Sequence, residues 1–198
     1  MDSLTGMREA SAVKIDLLTD SYRVSGTVMT RFGRVTDILN QLSGSHLTVG
    51  QATISEHADP TATQSAPTVS IDLAAILTFA APGLAGQASS EMRVPKRPVR
   101  AQLALPPLRC TGTIHVAQGS RPVDGLLNLT DRFLAMTDVT IESGPYPQLA
   151  RSADVVAIAR GRAQLMLVVD DERPDELLAD VLDERTAEGW LRADDSRR

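Results

Sequence analysis

The sequence predicts a mostly β fold with minor α content: two tandem small bent antiparallel sheets or small barrels, with short helical turns and a C-terminal amphipathic helix. Three observations carry this reading. The chain repeats itself, its apolar residues alternate with period two between turn residues, and each repeat holds a glycine in mid-strand. Overlaying Val13 to Gly33 on Val99 to Gly119 aligns Val13 with Val99, Leu17 with Leu103, Arg23 with Arg109, Gly26 with Gly112 and Thr27 with Thr113, so RVSGTV recurs as RCTGTI. After one inserted residue the overlay resumes with Arg34 on Arg121, Asp37 on Asp124, Leu39 on Leu126, Leu47 on Leu134, Thr53 on Thr140 and Ile54 on Ile141. Farther on, Val69-Ser70-Ile71 answers Val156-Ala157-Ile158. A shared offset held this long marks an internal duplication, which fixes the architecture before any single element is read.

The organisation that follows is a first β-rich module over 13–81, a linker over 82–98, a second β-rich module over 99–172 and a helix over 173–192. In the first module KIDLLT places Ile15 and Leu17 on one face, Asp20-Ser21 turns the chain, and YRVSGTVMT alternates again, which is a hairpin pattern. The second module carries Pro106-Pro107 at the same turn, where a fixed φ does the work of Asp-Ser. Gly26 and Gly112 interrupt strands that a glycine would otherwise weaken, so each predicts a bulge or sharp bend. RVTDILNQL predicts a short helical turn capped by Thr36 or Asp37, with Ile38, Leu39 and Leu42 turned inward. HLTVGQATI and RFLAMTDVTI return to strand propensity, and TVSIDLAAILTF and DVVAIARGRAQLMLVV close each module, the second hinged at Arg160-Gly161-Arg162. The linker is rich in small residues, Pro and cations. Pro174 followed by acidic residues, with Leu177, Leu178, Val181 and Leu182 at helical spacing, specifies the terminal amphipathic helix.

YRVSGT, RVTDILN, RFLAMTDV and VVAIARGRAQLML together resemble a family of uncharacterised bacterial domains, in which a YR-x-x-GT strand is followed by an RLSDLLN turn and an FLALTDV strand. Both copies fit, over most of the chain outside the linker and last helix. HLTVGQATI departs from the pattern by lacking the Phe and the Thr-Asp pair, and Gly161-Arg162-Ala163 interrupts a strand that is apolar in the family. The resemblance implies small Sm-like barrels and offers no catalytic residue to carry over.

Composition narrows the function classes. Hydrophobic residues at 42% and charged residues at 23% allow a packed core, while aromatic residues at 3% leave few platforms for stacking bases. A net charge of −5 opposes binding to phosphate backbones and anionic membranes unless a local basic patch overrides it. With Cys110 as the single cysteine, no internal disulfide forms, and no leader or membrane span is read in the sequence, so a cytoplasmic location is expected. His46, His57 and His115 are scattered, and Cys110 and His115 fall on opposite faces of one strand, which disfavours a shared metal. There is no nucleophile elbow and no phosphate-binding glycine loop. Asp37 and Asp124 recur in both copies, where a helix-start role accounts for them without acid–base chemistry.

The expected function is therefore a non-enzymatic structural or protein-interaction role, without cofactor or small-molecule substrate, exercised by self-association or with a protein partner through sheet edges and the terminal helix. Candidate partner-binding residues are Arg93, Lys96, Arg97 and Arg100, four cations interleaved with Pro, and Trp190, whose amphipathic ring suits an anchor. The alternative is an Sm-like nucleic-acid-binding module that uses the basic linker.

Overall fold

The computed structural model describes residues 9–84, 96–118 and 130–169. The chain falls into two compact units, Met1–Val168 and Val169–Arg198, and the described elements lie in the first apart from Val169 at the end of the last strand. The helix expected over 173–192 lies outside the described residues, as do Arg93, Arg121, Asp124 and Trp190.

Among the described residues, ten strands form one antiparallel sheet. They are β1 (Ser11–Leu18), β2 (Tyr22–Thr30), β3 (His46–Glu56), β4 (Thr63–Asp72), β5 (Thr78–Ala80), β6 (Lys96–Leu105), β7 (Leu108–Ala117), β8 (Phe133–Ser143), β9 (Arg151–Ala159) and β10 (Leu165–Val169). Their order is β10-β6-β7-β8-β9-β5-β1-β2-β3-β4. The expectation of two separate tandem sheets is corrected here. β5 pairs with β1 on one side and with β9 on the other, so the two halves share a single ladder. Nor is the sheet closed, because β4 and β10 stand at its two ends. The β-rich, antiparallel character holds.

Within that sheet β5-β1-β2-β3-β4 and β10-β6-β7-β8-β9 run in the same order. The local hydrogen bonds also correspond. Leu77 N–H donates to Leu18 O and Gln164 N–H to Ala104 O; Leu73 N–H donates to Ser45 O and Arg160 N–H to Arg132 O. A 3-10 turn precedes the last strand of each half, at Leu73–Ala75 and at Arg160–Arg162, which places the expected hinge. In the first, the Asp72 carboxylate accepts from Ala74 N–H at 2.9 Å. β6 starts at Lys96, so Lys96, Arg97 and Pro98 are strand residues rather than linker.

Alternation gives each half its core. Ile15, Leu17, Val24, Leu47 and Val49 fill the first, and Val99, Leu103, Cys110, Ile114 and Met136 fill the second. The helix α1 (Val35–Asn40) buries Val35, Ile38 and Leu39 against the first core. Its N-cap is Arg34, with no side-chain cap, so neither Thr36 nor Asp37 caps it. Asp37 is the third helical residue, in the first turn, where a negative charge still suits the free N–H groups.

The bends come from matched bulges. Between Ser25 and Thr27 the pairing of β2 to β3 slips from Thr53 to Gly50, and between Thr111 and Thr113 that of β7 to β8 slips from Thr140 to Thr137. The extra residue thus lies on the facing strand, where Gln51 and Asp138 take left-handed φ values of 49° and 52°. The glycines answer the close approach this creates. A Cβ on Gly26 would stand 2.6 Å from Val49 Cγ1 and 2.7 Å from Gly50 O, and one on Gly112 would stand 2.8 Å from Thr137 O. Gly112→Ala is therefore expected to destabilise the fold by about 1–3 kcal/mol in denaturant titration, through overpacking. Gly144→Ala, whose Cβ meets nothing within 4 Å, is the control and should change stability by less than about 0.5 kcal/mol.

Candidate functional site

Two surfaces concentrate specific chemistry: the joint between the halves, and the pair of sheet edges at its ends. At the joint the three residues of β5 pair Asp16↔Ala80, Leu17↔Phe79 and Leu18↔Thr78 on β1, and Thr78↔Ile158, Phe79↔Ala157 and Ala80↔Val156 on β9. Ala159 N–H also donates to Leu77 O at 2.9 Å. The cores interlock across this ladder. Leu18 and Leu77 from the first half pack into the second core, while Phe133, Ala157 and Ala159 from the second half pack into the first. Each such buried leucine is worth about 1.5–3 kcal/mol of apolar transfer.

A belt of polar contacts crosses the same joint. Arg151 Nη1 donates to Asp16 Oδ2 at 2.7 Å, and Arg23 holds both oxygens of that carboxylate through Nε and Nη2 at 3.0 Å. Burial pulls the Arg151 guanidinium below its ordinary pKa, and the Asp16 charge pushes it back. Arg162 grips the Asp20 carboxylate at 2.7 and 2.8 Å and donates to Ala74 O at 3.0 Å. Asn40 exchanges two hydrogen bonds with the Phe133 backbone at 2.9 and 3.0 Å, which docks α1 on β8.

His57 is the buried titratable group of the joint, only 1% exposed. Its Nε2–H donates to Thr19 O at 3.0 Å, its backbone carbonyl accepts from Gln148 Nε2–H at 2.7 Å, and its ring lies 5.5 Å from that of Tyr146. Nδ1 is left without a hydrogen-bond partner among the described residues. Burial lowers the pKa of the ring; the Thr19 carbonyl opposes this, Arg151 adds to it and Asp20 opposes it.

At the ends of the sheet the picture reverses. The β4 edge borders a cleft of about 580 Å³ whose apolar wall is Val24, Ile54, Val69 and Ile71 and whose rim carries Asp20 and Glu56. On β10, Leu165 and Leu167 are 63% and 52% exposed.

The sequence-predicted residues fall elsewhere. Lys96 and Arg100 are exposed on one face of β6, opposite Ala117 and Thr113 of β7, whereas Arg97 turns to the other face and is half-buried. Cys110 faces the second core, where burial pushes its thiol up to about 12, and His115 on the opposite face is exposed. Among the described residues no three His, Cys, Asp or Glu side chains group to hold a metal ion, and no helix is long and apolar enough to cross a membrane.

Sequence reasoning missed Asp16, Asp20, His57, Arg151 and Arg162. Their signal was available as difference rather than likeness, because these are positions where the two copies disagree. Comparisons with protein-family models, with curated proteins and with solved structures find no match for this chain.

Asp16→Asn should cost about 2 kcal/mol in urea unfolding, because it leaves the largely buried Arg151 charge without its counter-ion. Asp20→Asn, at the exposed pair with Arg162, should cost under about 1 kcal/mol. Because the folded-state pKa of His57 lies below its unfolded value, the folded state binds fewer protons between those two values, and stability falls as pH drops through them. Denaturation midpoints measured between about pH 7.5 and 5.5 should decline, starting near the unfolded value of about 6.5, and His57→Gln should flatten that decline.

Proposed function

We propose that this chain is a non-enzymatic structural or protein-interaction protein, built by internal duplication of a small Sm-like β module, which works in the cytoplasm by pairing its sheet edges with a protein partner. The observation that carries this reading is the joint itself. A three-residue strand, two leucines passed from the first half into the second core and a matched ion pair join the two halves edge to edge, which supports edges built for pairing. Sheets this small bury little area alone and gain from fusion. The likeness to uncharacterised bacterial domains supports a module used for its shape rather than for chemistry.

A second reading, nucleic-acid binding, draws on Lys96 and Arg100, which stand exposed on one face of β6. Both readings meet one experiment. Isolated from its native lysate under gentle salt, the chain is expected to run as a protein-only assembly heavier than one chain by light scattering, with the absorbance ratio of pure protein at 260 and 280 nm. A strict monomer without companions would overturn the assembly reading. Nuclease-sensitive material lost on Lys96→Glu/Arg100→Glu would replace it with the second.

A further inference from the structure

The strand pairing at the internal joint has a geometric counterpart at the two ends of the sheet. The matched hydrogen bonds of the halves set the equivalence: Leu77 and Gln164 donate to Leu18 and Ala104, so Thr78, Phe79 and Ala80 of β5 correspond to Leu165, Met166 and Leu167 of β10. Likewise Val156, Ala157 and Ile158 of β9 correspond to Val69, Ser70 and Ile71 of β4. β5 and β9 are paired with each other; among the described residues β10 and β4 stand at the ends of the sheet.

We infer that a second copy of this chain docks head to tail on the first, with β10 of one copy adding antiparallel to β4 of the other in the register Leu165↔Ile71, Met166↔Ser70 and Leu167↔Val69. This rests on the assembly reading above and names its partner.

Side-chain directions agree with that register. Met166 already packs against the second core, as Phe79 packs in the first. Leu165 and Leu167, on the opposite face, point out into solvent. The docked strand would lay them against Val69 and Ile71, in the apolar cleft beside β4.

Volumes and charges change together between the two joints. Leu18 and Leu77 fill the second core from across the internal joint; their counterparts Ala104 and Gln164 are smaller or polar, while Leu165 and Leu167 replace the smaller Thr78 and Ala80. Apolar volume lost at one pair of positions returns at the other. The ion pair Asp16–Arg151 becomes Gln102 and Gln64, whose amides satisfy each other as donor and acceptor. The ion pair Asp20–Arg162 becomes Pro106 against Ala75. Both partners of each ion pair that crosses the joint are replaced, so neither pair leaves a lone member at the outer edges, and Arg109, the counterpart of Arg23, stays exposed.

Such an interface uses different patches on the two copies, and it therefore propagates into a ring or an open chain. In this register every contact joins β10 of one copy to β4 of the other, not like edge to like edge.

Light scattering on the purified full chain from about 1 μM to about 100 μM is expected to show mass rising above that of one chain, whether to a plateau or without one. Leu165→Glu/Leu167→Glu, at exposed positions, should weaken association at least about tenfold with unchanged thermal unfolding. Mixing Val69→Cys with Leu167→Cys under oxidation should give a reducible dimer that neither variant forms alone, and this readout holds even if the glutamate variant misfolds. A single-chain mass throughout with no mixed cross-link, association untouched by the glutamates in a folded variant, or a cross-link in either variant alone overturns the inference. A monomer here that is found in a heteromeric assembly on native isolation would overturn the inference while leaving the assembly reading intact.

Discussion

Both flanks of β5 are hydrogen-bonded, and the rest of the molecule is arranged around that double use. A strand of three residues has too few ladder bonds to hold two sheets together by itself. It succeeds because its middle residue, Phe79, is fully buried in the first core, and because Leu77 just before it crosses into the second. Backbone pairing sets the register, and the two side chains fasten it from opposite faces. A one-residue slip would turn Phe79 out of its core, so the joint has one alignment.

The polar belt acts on top of this apolar fastening and serves a different purpose. An ion pair as desolvated as Asp16–Arg151 gains little over a well-packed apolar pair of the same volume, but it penalises any arrangement that leaves one member alone. His57 imposes a similar condition, since its ring is accommodated as the neutral Nε2–H form with the Thr19 carbonyl as acceptor. Charges at the joint therefore select one partner half over another. Equivalent positions elsewhere in the sheet carry Gln64 and Gln102 instead, and a neutral pair discriminates less.

Much of the strand content was legible because alternation and turn chemistry are local. RVSGTV and RCTGTI announced β2 and β7, and the glycine within each announced a bulge. The sequence could not say that the extra residue lies on the facing strand, at Gln51 and Asp138, because neither residue type advertises a left-handed backbone as glycine does. The fusion of two sheets into one was hidden for a related reason: Thr78–Ala80 is too short to show a period, and nothing local records that a strand bonds on both sides. The basic run was legible as charge, yet it drew attention to Lys96 and Arg97 as linker residues when they open β6. Leu165 and Leu167 lie in a segment legible only as a closing strand, and the structure is what separates their outward face from the inward Met166.

The two copies inform most where they diverge. Residues common to both, such as Gly26 and Gly112 or Ile54 and Ile141, maintain the curvature and core of one half, and each half needs them for itself. Residues that differ, such as Asp16 against Gln102 and Arg151 against Gln64, lie where a half meets something outside itself, and there the demands on the two copies are not the same. Two halves with the same strand order, joined edge to edge, form one internal joint and leave β4 and β10 at the ends of the sheet. At the internal joint Leu18 and Leu77 of the first half enter the second core and two ion pairs cross the ladder, so the halves are held in one arrangement. At the outer edges the positions equivalent to those ion pairs carry Gln102, Gln64, Pro106 and Ala75, so the penalty that a lone buried charge imposes at the joint does not operate there.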